Sequence, residues 1–163
     1  MHPAEKDALL LDQRTGLAVP ADVPEPSDAL PMTFPGLPLL LLLPLPLLLL
    51  PLPLLLRDSQ GGVRVFQNIC RHQGMILVSE PRRTKGVIRC PCHSWCYWTK
   101  GDLVATPHVG GPGDNIHDGI DRTTLGLLKV HSHIWRDVVW INASCDAPAF
   151  LEAMHDVITR WAA

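Results

Sequence analysis

One stretch of sequence decides the fold: residues 68–97 read NICRHQGMILVSEPRRTKGVIRCPCHSWCY. The stretch holds two short boxes of cysteine and histidine. The first box is Cys70-Arg71-His72 and the second is Cys90-Pro91-Cys92-His93. The 17 residues 73–89 separate them, so the full pattern is C-x-H followed by C-x-x-H. Each box therefore offers one thiol and one imidazole, and both of these groups bind metal ions.

A set of two thiols and two imidazoles fits two kinds of metal centre. In a Rieske [2Fe–2S] centre, two histidines replace two cysteines on one of the two irons. Because neutral imidazoles replace anionic thiolates, such a cluster accepts an electron more readily than an all-cysteine cluster does. Zinc is the alternative, since Cys and His sets with short spacings also bind Zn²⁺. Zinc ribbons usually space their ligands as C-x₂₋₄-C or H-x₃₋₅-H, so the tighter C-x-H box favours the iron–sulfur interpretation.

The residues around the boxes narrow the choice further. The pattern N-x-C-R-H-x-G-M … C-P-x-H-x-W-x-Y resembles the Rieske domain of the alpha (large) subunits of ring-hydroxylating oxygenases. The similarity continues through residues 100–103, 105–107 and 135–142. The resemblance implies that Cys70 and Cys90 hold one iron of a Rieske [2Fe–2S] cluster. It implies that His72 and His93 hold the other iron.

The resemblance implies a mostly β fold: a small antiparallel β-sandwich of the Rieske type, with two cluster-binding loops and a C-terminal amphipathic helix. This domain is expected over residues 53–145. Residues 53–57 and 63–66 have the composition of strands, and Gly61-Gly62 between them predicts a hairpin turn. Further strand patterns occur at residues 87–89, 103–104 and 125–142.

Two segments precede the expected domain. Residues 1–36 are rich in Pro, Ala and Asp, and we expect an irregular N-terminal segment there. Residues 37–56 contain fifteen leucines and five prolines. Their length and apolarity match a membrane span, but each proline inside a helix costs about 3 kcal/mol or more. We therefore predict a low-complexity tract rather than a membrane span.

The sequence period changes near the C-terminus. Apolar residues from Phe150 to Trp161 recur at helical spacing, which predicts an amphipathic helix over residues 146–163. The resemblance implies that this helix leads to a catalytic domain absent from the chain. That domain would hold a mononuclear Fe(II), bound by two histidines and a carboxylate. Glu152 and His155 are the nearest local candidates for such ligands, but no second histidine follows, so we interpret them as a surface pair.

The neighbours of the four ligands indicate the type of centre. In high-potential Rieske proteins, a cysteine at the position of Cys92 is bridged to a second cysteine. This chain has Met75 at that second position, so the bridge cannot form. A serine that donates to a cluster sulfur is replaced here by Trp95, which predicts a lower reduction potential. Tyr97 keeps a position from which a phenol can donate to a ligand sulfur, and the alternative role for this side chain is packing alone. Ser94 stands where glycine is more usual, so its backbone would be strained if φ is positive there.

Composition and charge exclude other classes of function. The 163 residues suit one domain, and a net charge of −2 gives no electrostatic basis for binding nucleic acid. The five cysteines are an odd number, and residues 1–30 show no secretory signal. We therefore expect a cytoplasmic protein that uses its cysteines for metal rather than for disulfides.

The predicted function is single-electron transfer within a Rieske non-haem iron oxygenase. The resemblance implies an aromatic-ring or amine-type dioxygenase or monooxygenase, in which this chain alone would be inactive. The electron donor would be a ferredoxin or a flavin reductase. The acceptor would be the mononuclear iron in the catalytic domain of the same or a neighbouring subunit, in a trimer. The alternatives are a stand-alone Rieske-type ferredoxin and a zinc-binding structural domain.

Overall fold

The computed structural model describes residues 14–33, 53–142, 144–145 and 148–162. The chain divides into two compact units. The larger unit comprises the described residues of Ala21–Lys129, and the smaller unit joins the described residues of Met1–Pro20 to those of Val130–Ala163. Within the described ranges the strands are β1 (Arg14–Ala18), β2 (Asp28–Pro31), β3 (Pro53–Arg57), β4 (Val63–Gln67), β5 (Arg82–Arg83), β6 (Val87–Arg89), β7 (Cys96–Trp98), β8 (Leu103–Ala105), β9 (His131–Trp135) and β10 (Val138–Asn142), and the helices are α1 (Phe150–Ala153) and α2 (His155–Ala162).

The larger unit contains two antiparallel sheets. The first has the strand order β4-β3-β2-β5, and the second has the order β6-β7-β8. Leu54, Leu55 and Leu56 of β3 are fully buried, so this strand is a run of consecutive apolar residues rather than an alternating pattern. Strand β4 ends shortly before the first box, and β6 ends at Arg89, directly before the second box. Each box is therefore attached to the end of a strand.

One buried cluster of side chains joins the two sheets of the larger unit. Leu54 and Phe66 belong to the first sheet, and Ile88 belongs to the second. The same cluster includes Cys70 and Cys90. The two thiol residues of the boxes are thus part of the hydrophobic core.

A close approach of backbone to side chain occurs in the turn between β7 and β8. A Cβ atom at Gly101 would lie 2.5 Å from Cε1 of Phe66, in the first sheet. Gly101 also has a φ of +98°, and its carbonyl accepts the N–H of Leu127 at 2.7 Å. Glycine is the residue that meets both conditions without strain.

The smaller unit is a three-stranded antiparallel sheet with two short helices. Its strand order is β1-β10-β9. The ring of Phe150, in α1, stacks on His133 with the centroids 4.3 Å apart. Trp135 and Trp140 lie 6.4 and 6.2 Å from the same ring. The guanidinium of Arg14 lies 5.3 Å from the Phe150 centroid, so a cation–π contact ties β1 to this aromatic cluster.

The predicted fold class is confirmed, since the described chain is mostly antiparallel β with helices near its C-terminus. The predicted hairpin is confirmed as β3 and β4, with Leu54 opposite Phe66. The prediction of an irregular segment over residues 1–36 is wrong where β1 and β2 form. These strands pair with β10 and β3, which lie far along the chain, so no local pattern revealed them.

Two further boundaries differ from expectation. Strand β10 pairs with β1 and with β9 in the smaller unit, so the domain expected over residues 53–145 is divided between the units at Val130. The C-terminal helix is two helices, since α1 ends at Ala153 and α2 begins at His155. Residues 37–52 of the leucine–proline tract lie outside the described residues, and its last residues belong to β3. No helix within the described ranges has the length and apolarity to cross a membrane.

A buried carboxylate closes the turn of the β3–β4 hairpin. Asp58 is only 1% exposed. Its Oδ1 accepts the N–H groups of Gln60 and Gly62 at 2.9 Å each, and its Oδ2 accepts Nε–H of Arg64 at 2.7 Å. Burial acts to raise the pKa of Asp58, but the hydrogen bonds from Arg64 and the two backbone groups outweigh it and hold the pKa below its usual value. The charged carboxylate is therefore the form that closes the turn.

Removing this charge should destabilise the protein at neutral pH and matter less in acid. We expect Asp58→Asn to lower the free energy of unfolding by about 2 kcal/mol at neutral pH, because a charged hydrogen-bond acceptor is lost. The folded-state pKa lies below the unfolded-state value of about 3.9, so the stabilisation is complete above that value and disappears as the pH falls through the folded-state pKa. Urea unfolding from about pH 6 down to about pH 3 should show the difference between the two proteins shrinking.

Asp118→Asn is the matched control, because Asp118 is exposed and loses the same charge. It should stay within about 0.5 kcal/mol of the wild type at every pH. A difference between wild type and Asp58→Asn that does not change with pH would contradict the role given to the carboxylate charge.

Candidate metal centre

The first loop, residues 70–75, is a tight turn that follows β4. The N–H of Cys70 donates to the carbonyl of Met75 at 2.8 Å. The N–H of Gly74 donates to the carbonyl of Cys70 at 3.0 Å. Gly74 has a φ of +73°, which glycine adopts without strain. The cysteine is thus held by both of its own backbone hydrogen-bonding groups.

The second loop, residues 90–95, repeats this turn between β6 and β7. The N–H of Cys90 donates to the carbonyl of Trp95 at 2.8 Å, and the N–H of Ser94 donates to the carbonyl of Cys90 at 3.1 Å. Ser94 therefore occupies the position of Gly74, and its φ is +59°. The condition under which strain was expected at Ser94 is therefore met, and the left-handed conformation costs a residue with a Cβ atom about 1–2 kcal/mol.

The two loops bury two thiols and expose two imidazoles. Cys70 and Cys90 are each 2% exposed, whereas His72 and His93 are exposed. The imidazole centroids lie 4.8 Å apart, and the ring planes are nearly perpendicular, at 80°. The structure therefore brings the two thiols together in the core and the two imidazoles together at the surface.

Burial and charge at the site fit a metal centre with two thiolate ligands. Burial raises the pKa of the Cys70 thiol, and the neighbouring Cys90 raises it further, although the Tyr97 hydroxyl and a backbone hydrogen bond act in the opposite direction. Partial burial, together with the nearby His93, lowers the pKa of His72 and favours its neutral form. Two adjacent thiolates need a cation between them, and neutral imidazole is the form that binds metal. This donor set fits a [2Fe–2S] cluster with Cys₂His₂ ligation.

A buried phenol lies beside one of the thiols. The hydroxyl oxygen of Tyr97 is 3.3 Å from Sγ of Cys70 and accepts the N–H of Arg71 at 3.1 Å. Tyr97 is fully buried, and burial together with its hydrogen bond to Cys70 raises its pKa, so the hydroxyl stays protonated. Because its oxygen already accepts from Arg71, its own proton is available to the sulfur. This geometry is consistent with the donor role that the sequence allows for Tyr97.

Two contacts at the site were missed by reasoning from the sequence. The ring of Trp95 stacks on that of His72, with centroids 4.6 Å apart and planes 12° apart. The side chain of Asn68 bonds both the N–H and the carbonyl of Val78, at 3.0 and 2.6 Å, and so braces the first loop from behind. The N-x-C pattern includes Asn68, but only the folded chain shows that its partner is Val78. The folded chain likewise shows that Trp95 stacks on His72.

The remaining candidates stay outside this arrangement. Cys92 is exposed, with its Sγ 4.0 Å from Nε2 of His93, and Glu152 and His155 are both exposed. Within the ranges that the structure describes, no three His, Cys, Asp or Glu side chains group tightly enough to hold a single metal ion. A [2Fe–2S] cluster takes two protein ligands at each iron, and the thiol pair and the imidazole pair match that number.

Comparison with known protein families agrees with this chemistry. Residues 51–125 match the family described as the Rieske [2Fe-2S] domain. These residues form a Rieske [2Fe–2S] domain. The Rieske domain includes both loops, strands β3 to β8 and all four predicted ligand residues. A domain of this family carries a [2Fe–2S] cluster held by two cysteines and two histidines.

The curated relatives that this Rieske domain matches include oxygenases and large subunits of oxygenases. The chain is 31% identical over 96 residues to the anthranilate 1,2-dioxygenase large subunit of Acinetobacter baylyi, which covers 59% of this chain and 20% of that protein. It is 32% identical over 105 residues to the chloroplastic choline monooxygenase of Spinacia oleracea, covering 64% of this chain and 22% of that protein. The chain thus spans about a fifth of the length of the curated relatives that it matches.

Solved structures show the same fold. A quaternary ammonium Rieske monooxygenase superposes with a TM-score of 0.73 at 20% identity, over 96% of this chain and 38% of that one. Naphthalene 1,2-dioxygenase from Rhodococcus sp. superposes with a TM-score of 0.74 at 20% identity, over 96% of this chain and 32% of that one. Identity at this level is evidence for the fold alone.

The strained loop position yields a stability prediction. Ser94→Gly should raise the free energy of unfolding by up to about 1 kcal/mol, because glycine accepts a positive φ, and this gain exceeds the entropy lost from its more flexible unfolded chain. The control is Ser59→Gly, at an exposed turn residue whose φ is not positive, where the same change should be neutral or destabilising. Urea unfolding followed by circular dichroism compares the two. A loss of stability in Ser94→Gly would contradict the strain.

Proposed function

We propose that residues 70–93 hold a Rieske [2Fe–2S] cluster that accepts and donates single electrons. Cys70 and Cys90 would bind one iron, and His72 and His93 would bind the other. One observation carries the proposal: two loops with the same backbone turn each supply one buried thiol and one exposed imidazole. When bound, the cluster supplies one-electron chemistry at a potential that its ligands and their hydrogen bonds set.

The exposed imidazoles support electron exchange at the histidine side of the site. The thiols are enclosed by the core, while the imidazole rings reach the surface, where another protein can approach. A redox centre exchanges electrons through the edge that a partner can approach, so we propose that electrons enter and leave near His72 and His93. The backbone hydrogen bonds that close the two loops would keep the ligands from moving between oxidation states.

For the whole protein we propose the large subunit of a Rieske non-haem iron oxygenase, of the aromatic-ring or amine-hydroxylating type. This is supported by relatives that include a dioxygenase of anthranilate and a monooxygenase of choline. The chain matches only the Rieske part of those proteins, so the mononuclear iron would belong to a catalytic domain of the same or a neighbouring subunit. A trimer would bring neighbouring subunits together for this transfer, and a reducing cytoplasm would suit the cluster.

We propose a ferredoxin or a flavin reductase with an acidic surface as the electron donor. Residues 68–97 contain five basic residues and one acidic residue, a balance of +4, whereas the whole chain has a net charge of −2. Lys85 and Arg89 of this stretch are exposed, while Arg83 is paired with Asp28 at 3.1 Å. Exposed basic side chains that precede the second box in the sequence would accelerate the encounter with an acidic donor.

Electron paramagnetic resonance of the anaerobically purified, dithionite-reduced protein tests the cluster assignment. We expect about two irons and two sulfides per chain, and a reduced signal of the histidine-ligated [2Fe–2S] type. His72→Cys and His93→Cys should each abolish or alter that signal, because each removes a nitrogen ligand. His117→Cys, an exposed histidine outside the boxes, is the matched control and should leave it unchanged. An iron-free protein that contains zinc would overturn the proposal and favour a zinc-binding structural domain.

The phenol beside Cys70 yields a prediction about the reduction potential. Tyr97→Phe should lower the potential by roughly 50 mV, because a hydrogen bond of about 1 kcal/mol to a ligand sulfur stabilises the more negative reduced state. Redox titration followed by the reduced signal measures the shift. Trp98→Phe is the control, since Trp98 is the next residue and is 48% exposed. An unchanged potential in Tyr97→Phe with full iron content would mean that the hydroxyl does not donate to the sulfur.

A further inference from the structure

Trp95 contacts both metal-binding loops, one through its backbone and the other through its ring. Its carbonyl accepts the N–H of Cys90 at 2.8 Å and so closes the second loop. Its indole stacks on the imidazole of His72, in the first loop, at 4.6 Å and 12°. The indole is 3% exposed and belongs to the buried cluster that contains Cys70 and Cys90. Because the core encloses it, the indole cannot turn away from the imidazole.

The other histidine meets a different environment. Met75 is the counterpart of Trp95 in the first loop, because its carbonyl accepts the N–H of Cys70 in the same way. Met75, however, is 44% exposed. His93 meets the ring of His72 at 80°, an edge contact rather than a stack. The two turns are alike in backbone, yet only the second places a buried ring over the histidine of the opposite loop.

We propose that Trp95 is a positioning residue that fixes the ring plane of the metal ligand His72. The inference rests on the proposed function, since the plane matters only if His72 binds iron. An imidazole bound through one nitrogen can still rotate about that bond, and a ring packed parallel to one face opposes this rotation. Trp95 thereby gives His72 one orientation, whereas the orientation of His93 depends on its exposed surroundings.

The stack should influence the spectrum and the potential of the site. The coupling between an unpaired electron and a ligand nitrogen depends on the orientation of the ring, so a fixed plane gives one defined coupling. The indole also excludes water from one face of His72. Water admitted there would favour the more negative reduced state, and so raise the reduction potential.

The experiment compares Trp95→Leu, which keeps apolar bulk without a ring, with Trp95→Phe, which keeps a ring. Pulsed EPR of the reduced full chain measures the two ¹⁴N couplings, and redox titration measures the potential, at matched iron and sulfide content. We expect Trp95→Leu to change one of the two couplings and raise the potential, and Trp95→Phe to restore both towards wild type. Trp98→Leu is the matched control, because it makes the same change at a half-exposed tryptophan three residues away.

Each outcome decides a separate question. Wild-type couplings and potential in cluster-loaded Trp95→Leu would overturn the inference. If Trp95→Leu does not fold, the wild type decides, because two equivalent histidine couplings would overturn the inference and two different ones would support it. If the wild type itself shows no [2Fe–2S] signal, the proposed function is overturned instead. A failure of the inference about Trp95 can therefore be distinguished from a failure of the proposed function.

Discussion

Two thiols buried side by side are the constraint around which the larger unit is arranged. Burial alone makes thiolates costly, and a second thiolate nearby makes the first costlier. Such a pair is favourable only when a cation lies between the sulfurs, so the fold must hold the two cysteines in place ahead of the metal. It does so by including Cys70 and Cys90 in the same hydrophobic cluster as the strands of both sheets.

The same backbone turn is used twice to meet this constraint. In each loop the cysteine N–H bonds a carbonyl five residues later, and the cysteine carbonyl accepts an N–H four residues later. The predicted metal-binding histidines, however, are spaced differently: His72 lies two residues after Cys70, whereas His93 lies three residues after Cys90. This single offset accompanies the near-perpendicular imidazole rings, and it shows that similar backbones can present different ligand geometries.

The parts of the fold that depend on local sequence were predictable. The β3–β4 hairpin and the two ligand loops follow from turn residues and spacing, and for Ser94 the sequence showed that a positive φ would be strained. Strands β1 and β2 were not predictable, because their pairing is decided by distant partners. The stack of Trp95 on His72 was not predicted for a related reason. Sequence spacing shows how residues follow one another within one loop, but it does not show which side chain of another loop they contact.

The glycine at position 101 gives the arrangement a consequence for engineering. Its missing side chain is what allows the turn after β7 to approach the ring of Phe66. Phe66 lies on the strand that leads to the first loop, and β7 follows the second loop. The distance between the two ligand loops therefore depends partly on Gly101, an achiral residue that binds no metal. To graft the two ligand loops onto another scaffold, a designer must keep the close approach of the Gly101 turn to Phe66 as well as the four ligand residues.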